Sequence, residues 1–255
     1  MKDQLCGWRA KIGVLTPPNY CIISEWGAVI PEGVTLVPAL MGLSDATPEG
    51  LKEMRRWALS ESEKLADWEV DIILYGCTSG SFVGGEGYDK SIIEELERAV
   101  GIPTTTTTTC VLTALNDLGA KKIALLGPYL KEVFDLEVAF FRAHGIETPY
   151  TRALGYREVR EFVHLYEQPY LFYREAKKAY QSASDIDAIF ITCMASPSLA
   201  VINTLEKETG KPVLSSCSAS LYGVLKTLRI KVPIEKYGLL GKRLAELDYV
   251  PPPER

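Results

Sequence analysis

The sequence is poor in histidine: His144 and His164 are the only two in 255 residues, and both stand far from every cysteine. A zinc site needs Cys and His ligands clustered in short spacings, and no C-x-x-C pair occurs, so no metal is expected. There is no block of Lys or Arg, and the net charge is −5; nucleic acid and anionic membrane surfaces are excluded as main partners. No apolar run approaches the ~20 residues that a transmembrane helix requires. The opening stretch "MKDQLCGWRAKIGVL" lacks the apolar core and small-residue cleavage site of a signal peptide, so no membrane partner is expected and the predicted compartment is the cytoplasm. There is no P-loop and no G-x-S-x-G elbow, and the glycines of "GGEGYD" (84–89) do not form G-x-G-x-x-G. They read as a loop insertion, and no nucleotide cofactor is expected.

What the chain does have is enough apolar sequence, 47% of residues, for one large core or two small ones. Short apolar runs alternate with amphipathic stretches. "KIGVL" (11–15), "VDIILY" (70–75), "KIALLG" (122–127), "DAIFIT" (187–192) and "KPVLSS" (211–216) read as strands. Between them, Thr47 followed by Pro48 opens a helix, and "SIIEELERAVG" and "LAVINTLEKETG" each end on glycine as helices do. Strands alternating with helices predict an α/β fold with parallel sheets. The aromatic-rich segment 162–180 reads as a helix packing its rings inward, with His164 on its surface or packed.

The chain also repeats itself. "KIGVLTPP" (11–18) matches "KIALLGPY" (122–129), "VDIILYGCTSGSF" (70–82) matches "IDAIFITCMASPSL" (186–199), and "EELERAVGIP" matches "NTLEKETGKP". The three matches keep their order at offsets between 109 and 116 residues, which predicts two related doubly wound lobes about a pseudo-two-fold axis. The expected division is 1–115 with 215–255 for the N-terminal lobe and 116–214 for the C-terminal lobe.

Ligands of open parallel sheets bind beyond the carboxyl ends of the strands. Cys77 and Cys193 stand at such ends, at equivalent points of the repeat, so the two thiols are predicted to face one cleft. Either cysteine alone is explained equally well by packing where a strand meets a loop; the repetition favours chemistry. Thr78, Ser79, Gly80 and Ser81 follow Cys77 and offer amides and hydroxyls to a carboxylate and a thiolate. Ser196, Pro197 and Ser198 after Cys193 read as a helix start. "TPPNY" (16–20) and "GPYL" (127–130) follow equivalent strands, which brings Asn19 and Tyr129 toward the same cleft. Cys6, Cys21, Cys110 and Cys217 lack that combination and read as buried, structural thiols.

Taken together, "IGVLTPPN" with Glu25 six residues after Asn19, "TPEG" (47–50), "GCTSGSF" (76–82), "TTTTTTCVLTALNDLGAKKIALLGPY" and "PSLAVINTLEKETGKPVLSSCSASLYGVLKTL" resemble the aspartate/glutamate racemase superfamily. The similarity is to its maleate cis–trans isomerase and arylmalonate decarboxylase branch. It implies a cofactor-independent enzyme, an expected homo-oligomer, acting on a small carboxylate. Cys77 and Cys193 are the implied catalytic residues, and Pro17, Asn19, Thr78, Ser79, Tyr129, Met194 and Ala195 the implied substrate-binding ones. Decarboxylases of this branch carry glycine where this chain has Cys77, so the pattern resembles the two-cysteine isomerases. Pro17 and Pro18 resemble the decarboxylases, and the second substrate-binding asparagine expected near "LGYREV" (154–159) is absent. Cis–trans isomerisation of a maleate-like dicarboxylate is the leading expectation. Racemisation of an amino acid or hydantoin, arylmalonate-type decarboxylation and non-catalytic carboxylate binding stay open.

Overall fold

A computed structural model describes residues 7–19, 21–165, 168–183 and 185–247; Cys6 and residues 248–255 lie outside them. The first half runs β1 (Ala10–Thr16), α1 (Cys21–Gly27), β2 (Val34–Leu40), α2 (Pro48–Asp67), β3 (Ile72–Tyr75), α3 (Thr78–Phe82), α4 (Tyr88–Val100), β4 (Thr104–Thr106) and α5 (Thr107–Leu118). The second runs β5 (Lys122–Tyr129), α6 (Lys131–Ala143), β6 (Glu147–Tyr156), α7 (Val159–Leu165), α8 (Pro169–Ser182), β7 (Ala188–Ile191), α9 (Ile202–Thr209), β8 (Val213–Ser215) and α10 (Ser216–Thr227), before a final short α11 (Gly238–Arg243).

The strands form two four-stranded sheets with orders β2-β1-β3-β4 and β6-β5-β7-β8. All six pairings are parallel. The same order in both sheets is the structural form of the sequence repeat: an α/β fold of two pseudo-symmetric lobes. Central strands β3 and β7 are buried along their whole length, as continuous apolar runs in parallel sheets require.

Edge strands β2 and β6 were not anticipated from sequence. β2 contains Pro38, tolerated at an edge because one side of the strand needs no ladder donor; β6 alternates exposed and half-buried residues without an apolar run. The segment 162–180 is two helices rather than one. Pro169 occupies the first turn of α8, and a proline there starts a helix because its missing N–H has no partner to lose. Tyr166 and Glu167, between the two, lie outside the described residues. Ser196–Ser198 do not start a helix: α9 begins at Ile202.

The two halves of the chain meet through α5 and α10, the helices that follow the fourth strand of each sheet. Gly223 lies so close to Cys110 that a Cβ there would stand 2.5 Å from its sulfur; the missing side chain lets the two helices cross. Phe82, at the end of α3, packs edge-on against Tyr129 of the other lobe at 6.1 Å and beside Phe140 at 6.3 Å. This crossing brings the carboxyl ends of β3 and β7 to a common space. Among the described residues, no helix is long and apolar enough to cross a membrane.

Candidate active site

That common space is a cavity of about 50 Å³, room for a few water molecules. Cys77, Cys193, Pro17, Asn19, Thr78, Ser79, Tyr129, Met194 and Ala195 all line it. The two thiols, 116 residues apart in sequence, therefore share one wall-to-wall space.

Cys77 is the N-cap of α3. The first N–H groups of a helix have no carbonyl within it, and the Gly80 N–H donates to the Cys77 sulfur at 3.4 Å, with Ser79 Oγ 3.8 Å away. Gly80 is required by the closeness of this turn: a Cβ would stand 2.6 Å from Met54 Cε and 3.1 Å from the Cys77 sulfur. Burial pushes the Cys77 thiol up from its ordinary value, and the Gly80 N–H and Ser79 hydroxyl pull it back. The hydroxyls of this loop do not all face the cavity. Thr78 Oγ1 donates to Ser216 Oγ, at the first residue of α10, at 2.9 Å, and Ser81 Oγ donates to the Thr78 carbonyl at 2.9 Å and accepts from Thr108. Ser81 is thus part of the scaffold, and the cavity is offered Ser79 and the leading end of α3.

Cys193 is held differently. Its backbone is in the left-handed region at φ 82°, a conformation that costs a non-glycine residue about 1–2 kcal/mol. The resulting turn brings the Ala195 N–H to its sulfur at 3.4 Å. Burial, with a smaller contribution from charge on Cys77, pushes this thiol up to about 12, against the lowering influence of the Ala195 N–H and the Tyr129 hydroxyl.

The turn is fixed from the other lobe. Glu25 of α1 is buried and accepts from the Ser198 N–H at 2.5 Å, the Leu199 N–H at 2.9 Å and the Ser198 hydroxyl at 3.0 Å. Burial raises its carboxyl, while those backbone donors lower it. Glu25 does not line the cavity; it clamps the loop that presents Cys193. Cys217 donates to the Met194 carbonyl at 3.3 Å, so it too belongs to the frame of this loop. Asn19 turns part of its amide inward on the chain: Oδ1 caps α1 through the Cys21 N–H at 3.0 Å.

The remaining lining was not foreseen. Leu43, Ala46, Leu51, Val159 and Phe162 make an apolar wall with Pro17 and Pro18, and no charged side chain among the described residues lines the cavity. Two loops from different lobes build that wall. The Ala46 N–H donates to the Arg157 carbonyl at 3.0 Å, and Asp45 pairs with Glu158 as an antiparallel bridge. The "TPEG" motif makes the turn: Thr47 Oγ1 accepts from the Gly50 N–H at 3.2 Å and donates to Asp45 Oδ1 at 2.5 Å. Phe162 packs inward, edge-on to Tyr156 at 6.1 Å, and also lines the cavity. His164 is exposed, and the glycines at 84–87 connect α3 to α4 without reaching the lining. The described residues hold no group of three or more His, Cys, Asp or Glu able to bind a metal.

A family model described as arylmalonate decarboxylase matches residues 12–240. The chain is 26% identical over 245 residues to the maleate isomerase of Geobacillus stearothermophilus, covering 90% of this chain and 96% of that one. It is 25% identical over 215 residues to the arylmalonate decarboxylase of Bordetella bronchiseptica, covering 84% and 89%. Its structure matches a cysteine-to-alanine variant of the maleate isomerase Iso from Pseudomonas putida S16, solved with maleate, with a TM-score of 0.82 at 25% identity over 91% of this chain and 97% of that one. The paired sheets, the thiol at each central strand end and these similarities lead to one assignment: the chain belongs to the arylmalonate decarboxylase family, on the branch of the aspartate/glutamate racemase superfamily that it shares with the maleate isomerases.

Proposed function

We propose that this protein is a two-thiol isomerase of a small unsaturated carboxylate, converting a maleate-like cis alkene to its trans isomer without a cofactor. The observation that carries this reading is the placement of Cys77 and Cys193 on one cavity, each at the end of an equivalent strand. Burial raises both thiols, Cys193 to about 12, and each is pulled back by one backbone amide and one hydroxyl; in this reading Cys77, at the start of α3, is the nucleophile. The Cys77 thiolate adds to one alkene carbon, forming a C–S bond and moving the π electrons onto the neighbouring carbon and its carboxylate. The Ser79 hydroxyl and the backbone amides of Thr78 and Ser79 receive the charge that develops, with Tyr129 beside Cys193. Cys193 gives a proton to that carbon, the new single bond rotates, and Cys193 takes the proton back as the C–S bond breaks. The relatives bearing the name maleate isomerase support this chemistry. In this reading the lobes divide as 1–115 with 215–255, and 116–214.

A second reading is favoured by the wall of Leu43, Leu51, Val159 and Phe162. An apolar wall offers nothing to a second carboxylate and suits an alkyl or aryl group. Two opposed thiols beside such a wall also suit racemisation of an α-substituted carboxylate, one removing the α-proton and the other delivering one.

Proton NMR in deuterated buffer, with maleate, alkyl- and aryl-substituted maleates, 2-arylpropionates and arylmalonates, separates the two. Appearance of the trans alkene is expected. Deuterium entering an α-carbon without net conversion would replace the isomerase by a racemase, and carbon dioxide from a malonate would replace it by a decarboxylase. Intact-mass analysis of Cys193→Ala after exposure to the alkene should show substrate mass on Cys77, absent in Cys77→Ala.

A further inference from the structure

The apolar face of α6 carries one acid. Val133, Phe134, Phe140 and Phe141 are buried there as expected, and so is Glu137, fully. A carboxyl group fully buried on an otherwise apolar helix face gains nothing from packing, so its position calls for a function. Its one protein hydrogen bond is to Thr192, whose hydroxyl lies 2.5 Å from Oε1, and Thr192 is the residue immediately before Cys193.

That contact is made across β5 and depends on a glycine. Thr192 continues β7 beside β5, its N–H donating to the Leu126 carbonyl at 2.8 Å. The next residue on β5 is Gly127, where a Cβ would stand 2.2 Å from Thr192 Cγ2 and 3.4 Å from Phe134. Only the absence of that atom lets the Thr192 side chain pass toward α6.

Glu137 Oε2 and Tyr129 Oη are both buried without a protein hydrogen-bond partner. Tyr129 lines the cavity, and its phenol is influenced by charge on Cys193 and on Glu137 and by the Thr192 hydroxyl. The groups therefore follow in sequence from the interior to the cavity: Glu137, Thr192, Tyr129, Cys193.

We propose that Glu137 is a positioning residue that acts through the Thr192 hydroxyl and the Tyr129 phenol on the proton held by Cys193. When Glu137 carries its proton, it donates to Thr192 Oγ1, which frees the Thr192 hydroxyl to donate to Tyr129 and the phenol to donate to a Cys193 thiolate. Once ionised, Glu137 only accepts; the Thr192 hydroxyl turns to it, and the support to the phenol is withdrawn while negative charge is added nearby. Burial raises Glu137 to about 8 and the Thr192 hydroxyl lowers it, so the change falls where enzymes operate. Tyr129 is the ionisable group that feels charge on Glu137; those facing the chain of hydroxyls from the cavity are Cys193 and Cys77.

The inference rests on the reading of Cys193 as acid and base, so the test reads the thiol and needs no substrate. In the full-length protein with ¹³C at cysteine Cβ, the Cys193 resonance is assigned by its loss in Cys193→Ser and followed through pH. The wild type should show a step at about 8, before the thiol itself ionises. Glu137→Gln, which keeps the shape and a donor toward Thr192, should lose the step. Thr192→Val should lose it, and Thr192→Ser, which keeps the hydroxyl, should retain it. Absence of the step in the wild type, or its survival in Glu137→Gln or in Thr192→Val, overturns the proposal. If the step behaves as stated but Cys193→Ser still turns over substrate, the proposed reaction fails and the coupling stands.

Discussion

Two loops leave equivalent strands of this molecule and hold their thiols by different means. Cys77 has ordinary extended backbone, φ −138° and ψ 112°, and caps a helix that begins at the next residue. Cys193 sits at φ 82° in a turn, with no helix until Ile202. The first thiol is presented by its own helix start; the second is held by a strained turn that Glu25 clamps from the opposite lobe. Duplication kept the strand end and its sulfur, and divergence after the strand changed how each sulfur is held. Pseudo-symmetry of fold therefore does not imply identical surroundings for the two thiols.

The comparison breaks first at the sulfurs. Cys77→Ser and Cys193→Ser should each reduce turnover by about 10²–10⁴-fold or more, with little change in Tm. Near-normal turnover by either would show that the two loops do not share a reaction.

A smaller effect tests how the second loop is held. Glu25→Ala strands the N–H groups of Ser198 and Leu199, and should destabilise the fold by about 2–4 kcal/mol in urea melts while lowering turnover. Cys77 should keep its reactivity toward a thiol reagent, because its own helix start holds it. Equal disturbance at both thiols would mean that the clamp serves the whole cavity.

A pH effect isolates Glu137 among the buried acids. Glu137 keeps its proton to about 8 in the folded chain against an ordinary 4.5. The folded state binds the extra proton between those values, so stability falls as pH rises through that window. Glu137→Gln should remove up to about 1.4 kcal/mol of that fall per pH unit, measured as the slope of unfolding free energy against pH. An unchanged slope would place the titration elsewhere.

The smallest effect concerns backbone alone. Cys193→Gly should be more stable than Cys193→Ala by about 1 kcal/mol, since glycine meets no Cβ clash at positive φ. Cys77→Gly should be less stable than Cys77→Ala by about 0.5–1 kcal/mol, the entropic penalty of glycine in extended chain. The same sign at both positions would erase the difference between the loops.

Much of this arrangement is written in local patterns. The buried central strands declare themselves as apolar runs, Thr47 and Pro48 announce α2, and the repeat gives both the twofold plan and the pairing of Cys77 with Cys193. Strands β2 and β6 were hidden because an edge strand satisfies only one neighbour and needs no continuous apolar stretch. Among the residues that line the cavity, Asn19 and Tyr129 were legible for the same reason as the thiols, because loops after equivalent strands converge, whereas Pro17, Met194 and Ala195 were implied only by the family resemblance.

Sequence alone determined the duplicated α/β plan, the two thiols and their common destination, because strand periodicity and repetition are properties of the chain read in order. Only the tertiary structure decided that Ser81 and the Thr78 hydroxyl serve the scaffold, that Glu25 clamps a loop 173 residues away, that Gly127 admits Thr192 to Glu137, and that Leu43, Leu51, Val159 and Phe162 close one side of the site. Each of these is a contact between side chains from separate elements. The burial and hydrogen bonding that fix such a contact depend on how the elements pack, which no local pattern carries.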